Sequence, residues 1–392
     1  MQPRLSFCLF LSWLFSTTAY AAPYLPANDA QVLERLAFKA NDPIARELAQ
    51  LRAALQRDPR DVVVAVSLGR RYYDLVAAEG DPRYLGYAQA ALAPWWDMPT
   101  PPIEVQVLRA GLRQFRHEFA GALADLDQAL TRDPGHARAR SLRAIIHIVQ
   151  ARYPAAQADC LALRGVASEL IALGCATMVQ GLTGQAHAAH AALSQMLAQH
   201  SEATRDEQLW VLTRLAELAQ RLGRMPLAEA HFKQALALDI SDTFLLAAYA
   251  DFLLVQGRPK EVLSLLKDKT RSDGLLLRIV FAEHGLKLPG AKASAATLAD
   301  RFHAAQLRGD TVHQQEEARF ALHIQNKPKA ALALALLNWQ VQREPRDAQI
   351  VLEAALASGD RAAASPVLRW LADSGNEDVD LRRLAQQLKA AP

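Results

Sequence analysis

The chain has 392 residues, 51% hydrophobic and only 7% aromatic, with alanine and leucine the leading apolar types. Its 44 basic and 41 acidic side chains leave a net charge of +3, which for this length excludes the strongly basic surface of a nucleic-acid or membrane-surface binder. The length also exceeds what one ordinary compact core fills, whereas an array of stacked repeats has no such ceiling.

Residues 1–21 read as a leader peptide. Arg4 supplies a positive start, Leu5 to Phe15 is a short apolar run containing Cys8, and Ala19-Tyr20-Ala21 is an A-x-A cleavage site that leaves Ala22 as the first mature residue. No later stretch reaches the 18 or more apolar residues that a membrane span needs, so no stable membrane insertion is expected after cleavage. The expected address is periplasmic or secreted.

Residues 22–59 are expected to form an N-terminal helical cap, with helices over 29–40 and 43–57 separated by Asn41-Asp42-Pro43, Pro standing where a helix tolerates it. The best-defined repeats span 60–270. Gly80-Asp81-Pro82, Gly181 to Gly184, Gly223 to Pro226 and Gly257 to Pro259 mark their internal turns. Pro94, Pro99, Pro101 and Pro102, with Trp95 and Trp96 between, predict a longer joint. Residues 271–375 continue as degenerate helical repeats, and 376–392 as a polar capping helix of the kind a stacked array needs at its exposed end.

The repeat has a measurable period. Shifted by 34 residues, Leu212 falls on Leu246, Ala216 on Ala250, Gly223 on Gly257 and Phe232 on Leu266. Upstream, Leu108-Arg109-Ala110 falls on Leu142-Arg143-Ala144, Phe119 on Tyr153 and Ala122 on Ala156. Small residues recur at Gly69, Ala110, Ala144, Ala216, Ala228, Ala235 and Ala250, where two helices must approach closely, and Tyr72 fills the wedge they leave. With Leu68, Gly69 and Tyr72 in an L-G-x-x-Y arrangement, although Ala65 stands where a Trp is usual, the chain resembles the tetratricopeptide repeat (TPR) family, in an exported bacterial form. The resemblance implies an all-α solenoid of tandem antiparallel helix pairs, a TPR-like superhelix.

Chemical motifs are sparse. His187 and His190 lie three apart on one helix without H-E-x-x-H or a third ligand, so no metal is expected. Ser264 and Lys267 match S-x-x-K with none of its companion motifs, and Glu316-Glu317 reads as a solvated helix face. With no phosphate-cradling glycine loop and no C-x-x-C, no cofactor is expected either, and no catalytic residue is assigned. Arg109, Arg113 and Arg116, followed by Arg138, Arg140 and Arg143, either form an anion-binding patch or pair locally with Glu118, Asp125 and Asp127. Cys160 and Cys175, on successive antiparallel helices, are either a disulfide or two small buried thiols.

First helices of TPR units line a concave groove. Carrying those positions over implies Phe115, Ile145, Ile148, Val149, Trp210, Glu217, Phe244, Asp251 and Leu254 as groove residues. The resemblance implies a non-enzymatic scaffold binding a protein or peptide partner. The rivals are a binding component of envelope polysaccharide or cell-wall machinery, and an enzyme with an unrecognised site.

Overall fold

The computed structural model describes Asn28 and residues 42–390. The leader at 1–21 and the helix expected over 29–40 lie outside the described residues. Two compact units are distinguished, Met1–Glu47 and Leu48–Pro392. The fold is an all-α solenoid of tandem antiparallel helix pairs, and among the described residues the only β feature is an isolated bridge between Arg164 and Ala167.

After α1 (Pro43–Arg57), the pairs are α2 (Val62–Glu79) with α3 (Arg83–Ala91), α5 (Ile103–Phe115) with α6 (Phe119–Arg132), and α7 (Ala137–Val149) with α8 (Tyr153–Ala162). Next come α9 (Glu169–Leu182) with α10 (Ala186–Gln199), α11 (Arg205–Arg221) with α12 (Met225–Leu236), and α13 (Thr243–Val255) with α14 (Pro259–Leu265). The degenerate part holds α15 (Asp273–Gly285) with α16 (Ala291–Leu307), α17 (Gln314–His323) with α18 (Pro328–Val341), and α19 (Pro345–Ser358) with α20 (Ser365–Ser374). A final helix, α21 (Val379–Ala390), covers α19 with Leu381, Leu384 and Leu388 and turns a polar face outward. The proline-rich joint holds one further short helix, α4 (Ala93–Trp96), and is tied down by Arg109, whose guanidinium donates to the carbonyls of Trp95, Trp96 and Met98.

Local chemistry explains the boundaries. Asp61, Ser168, Asp242 and Ser272 accept backbone N–H bonds at helix starts, and Thr204 with Glu207 forms a reciprocal capping box. The turn inside a pair needs one left-handed residue. Gly223 (φ +71°) and Gly257 (φ +68°) supply it without steric cost, while His117 (φ +59°) and Ala151 (φ +57°) fill the equivalent place 34 residues apart.

Ala110, Ala144, Ala216, Ala228, Ala235 and Ala250 are fully buried, at 0% exposure. At Gly69 an added Cβ would stand 2.8 Å from the Leu108 side chain, so α2 and α5 touch there nearly backbone to side chain. Tyr72 is buried beside it, and its hydroxyl accepts a bond from Arg52. Cys160 and Cys175 are disulfide-bonded, closing a 15-residue span. By loop closure alone such a bridge contributes about 3 kcal/mol.

Within the second unit, the array curls far enough to meet itself. Thr243 and Ser241 donate their hydroxyls to the carbonyls of Ala77 and Ala78. Arg343 N–H donates to Val149 O at 2.7 Å, Trp370 Nε1 to the Tyr153 hydroxyl at 2.9 Å, and Ala186 N–H to the Glu377 carboxylate. The segment before α13, the joint between α18 and α19, α20 and the loop before the cap thus lie against earlier pairs, and the concave face is not one continuous open groove.

Leucine at Ala216 or Ala250 would drive three carbons into a site with no room. Each substitution is expected to destabilise by about 1–3 kcal/mol, read from denaturant midpoints. Midpoints equal to the parent would disprove the nesting of the helices at these residues.

Candidate functional site

Where the array closes, five first helices face one another. Residues spaced four or seven apart form one stripe on each of four of them, Glu217 and Arg221 on α11, Phe244 and Asp251 on α13, Arg319 and His323 on α17, and Arg346 and Glu353 on α19, and Phe281 joins them from α15. The stripes enclose a cleft of about 470 Å³.

Its floor is an ion network. Asp251 accepts a bidentate pair from the buried Arg278, at 3.1 and 2.6 Å, and a third bond from Arg319 at 2.9 Å, with Arg346 at 4.0 Å. Burial alone would raise this carboxyl, but Arg278, Arg319 and Arg346 outweigh it and hold Asp251 well below the ordinary carboxylate range. Glu217 is treated likewise: burial pushes it up, and Arg214, Arg221 and Arg346 bring it below its usual value. Arg346 reaches Glu217 across 129 residues of sequence, at 3.3 Å, and this contact ties α19 to α11.

The walls are partly aromatic. Phe244, 41% exposed, lies between the guanidinium groups of Arg214 and Arg346, 4.3 and 5.2 Å from its ring centre. Phe281 has Arg319 over its face at 5.2 Å and His323 edge-on at 5.7 Å. His323 Nε2 stands 3.2 Å from Glu353, whose other oxygen accepts from Gln349. Val255, 57% exposed, lies at the mouth beside Leu254.

The structure therefore brings Glu217, Phe244, Asp251 and Leu254 together and separates the other groove candidates from them. Ile145 borders a smaller hollow of about 160 Å³ with Tyr73, Leu108, Gly111 and Arg138, and Phe115 packs edge-on to Tyr73 at 5.1 Å. Ile148, Val149 and Trp210 line no groove. Ile148 is buried among Cys160, Cys175 and Val179, and Val149 is buried against α6. The Trp210 ring fills the notch left by Gly174, where a Cβ would lie 2.2 Å from it.

The arginines of α5 and α7 mostly pair rather than form an open patch. Arg109 holds Asp125 with two bonds, at 3.0 and 2.6 Å, and Arg143 holds Asp159 with two, at 2.8 and 2.6 Å. Arginine and aspartate are 16 residues apart in both cases and the two pairs are related by the 34-residue period, a signal present in the sequence and overlooked there. Glu317 departs from the solvated face expected of it: it is buried and accepts from Gln306, and burial raises its carboxyl. His187 meets Arg224, and His190 is buried against the His231 ring, where desolvation lowers it to about 4. Phe281, Arg319, His323, Arg346 and Glu353 went unread because they lie in the repeats that carry no motif.

These features define a helical-repeat protein with a closed inner cleft. No protein-family model and no curated protein matches the chain. Among solved structures, the P58(IPK) TPR domain aligns over 88% of this chain and 97% of its own, at 15% identity and a TM-score of 0.21. The repeat architecture rests on the helix pairs and their period rather than on that alignment.

Because Asp251 is depressed below the unfolded value of about 3.9, its contribution to stability is complete above that pH and is lost as pH falls through the folded value. Asp251→Asn is expected to cost about 3 kcal/mol at pH 7, leaving Arg278 buried without its counter-charge. Its melting temperature should also fall less steeply than the parent's below about pH 4. Parallel acid limbs in thermal melts would refute this assignment.

Proposed function

We propose that the protein is an exported, non-enzymatic repeat scaffold of the TPR type that holds a segment of a protein partner in its inner cleft. The observation that carries this reading is the cleft itself. Six helices contribute to it, its volume falls in the range of specific ligand sites, and Phe244 and Val255 stand exposed beside charges already neutralised within the floor. The 34-residue period and the Leu68-Gly69-Tyr72 arrangement support the TPR type.

The polysaccharide rival loses support, since sugars stack on open aromatic faces. Trp210 is committed to Gly174, and guanidinium groups already stack on the Phe244 and Phe281 rings. One observation favours an enzyme, the His323–Glu353 pair, which could orient an imidazole as a general base. No serine, threonine, cysteine, tyrosine or lysine lines the cleft among the described residues, so no nucleophile accompanies the pair, and Arg319 and Arg346 are already engaged by carboxylates.

Export is supported by the Arg4, Leu5–Phe15 and Ala19-Tyr20-Ala21 leader pattern and by a disulfide that suits an oxidising compartment. N-terminal sequencing of the protein from a periplasmic fraction is expected to begin at Ala22; an intact Met1 in the cytoplasmic fraction would refute export.

Screening a library of extended peptides against the purified chain should yield ligands that Phe244→Ser or Val255→Ser weakens about tenfold or more. Leu161→Asp, at an exposed site on the second helix α8, should leave binding unchanged. Absence of any bound peptide, or equal losses in all three variants, would overturn the reading.

A further inference from the structure

We propose that the segment held by the cleft is basic: an extended stretch of the partner in which lysine or arginine alternates with aliphatic residues. This rests on the reading of the cleft as a peptide site and assigns the chemistry of its guest.

Charge carries the argument. The chain as a whole has a net charge of +3, yet among the described residues the cleft is lined by Glu217, Asp251, Glu344, Glu353, Asp378 and Asp380 against Arg221, Arg319 and Arg346; with Arg214 and Arg278, which pair with Glu217 and Asp251, one negative charge is left in excess. The two signs are also separated. Arg319 and Arg346 are drawn into the floor by Asp251 and Glu217, so an anion entering beside them would have to displace a carboxylate already in place, while Arg221 acts electrostatically on Glu217, Glu344 and Asp378 together. The remaining carboxylates lie toward α19 and α21, and their present partners are modest. Glu353 has His323 and Gln349, Asp378 caps the backbone of α21, and Asp380 faces Arg383 at 3.3 Å in an exposed pair of little worth. Burial raises Glu344 despite Arg346, and burial raises Asp378 despite its backbone bonds and Arg221. A cation placed between them would relieve that desolvation cost, whereas an anion would deepen it.

The apolar surface fits the same guest. Leu254, Val255 and Ile324 line the same cleft as these carboxylates, so the methylene stem of a lysine can lie on them while its ammonium reaches Glu353 or Asp380. A cleft of about 470 Å³ takes a short extended stretch rather than a whole helix with its side chains.

The test uses the purified full chain and three fluorescent peptides of equal length, alternating Lys/Leu, Gln/Leu and Glu/Leu, followed by anisotropy. The Lys peptide is expected to bind about tenfold tighter than the Gln peptide, with the Glu peptide weakest, and its advantage should shrink between about 0.05 and 0.5 M salt. The double variant Glu353→Gln/Asp380→Asn should remove most of that advantage, read as the ratio of Lys-peptide to Gln-peptide affinity. Glu202→Gln, at an exposed carboxylate outside the cleft, should change nothing. Circular dichroism melts establish that each variant is folded. A Gln or Glu peptide that binds as well as the Lys peptide, or an advantage that survives the double variant, would overturn the basic guest while leaving a peptide site standing. If none of the three peptides bound, and the peptide library were also blank, the peptide-site reading would fall and this proposal with it.

Discussion

Everything in this fold depends on how closely two helices can approach at a handful of residues without side chains of any length. Ala110, Ala144, Ala216 and Ala250 recur on first helices and are wholly buried; Ala122, Ala156 and Ala228 answer them on second helices. A helix pair built this way cannot bury its own apolar face, so each pair is completed only by the next. The angle set at each contact is small, and it accumulates. Because the same small residues return every 34 positions, the rotation keeps one sense, and several pairs later the chain lies against itself: Ala77 meets Thr243, and Tyr153 meets Trp370.

Paired charges fix what packing leaves adjustable. Alanine surfaces are smooth and would let one helix slide along another. Arg109 with Asp125, and Arg143 with Asp159, join the two helices of a pair through bidentate bonds that tolerate little sliding. Such buried pairs add little net stability over an apolar filling of the same volume, because both ions lose their water. What they supply here is register. Asp251 and Arg278 perform the same task between successive first helices α13 and α15, and Arg346 with Glu217 performs it between helices far apart in sequence. The cleft is therefore made of the same kind of contact as the scaffold, applied across its inner face.

That hierarchy explains what the sequence disclosed. Among the described residues, turns such as Gly223 to Pro226 and Gly257 to Pro259 were legible because they depend on neighbours in sequence: a left-handed Gly, then a Pro at the next helix start. Position within a repeat pointed to Glu217, Phe244 and Asp251, which the structure places on the cleft, each on the inward side of a first helix. The same rule pointed to Ile148 and Trp210, which lie in helix packing instead. Ile148 faces the α8–α9 interface, and Trp210 was needed to fill the space above Gly174, a requirement set by a helix 36 residues earlier. Arg319, Arg346 and Glu353 could not be read at all. Their repeats had drifted from the pattern, and their partners are separated from them by as many as 129 residues.

Closure also decides what sort of site results. An open solenoid offers a long groove whose side chains must be ordered by each ligand that arrives. Here Phe244 is held between two guanidinium groups, and those groups are held in turn by Glu217 and Asp251, so the floor is already fixed before anything binds. The entropy of ordering those long arginine side chains is spent in folding rather than in binding. The consequence is a division of labour within one small volume: a rigid, internally neutralised floor that sets shape, and a less completely paired acidic wall, from Glu344 to Asp380, that is left to discriminate charge. A groove with the same residues but without the α19–α11 contact would have the second property and lack the first.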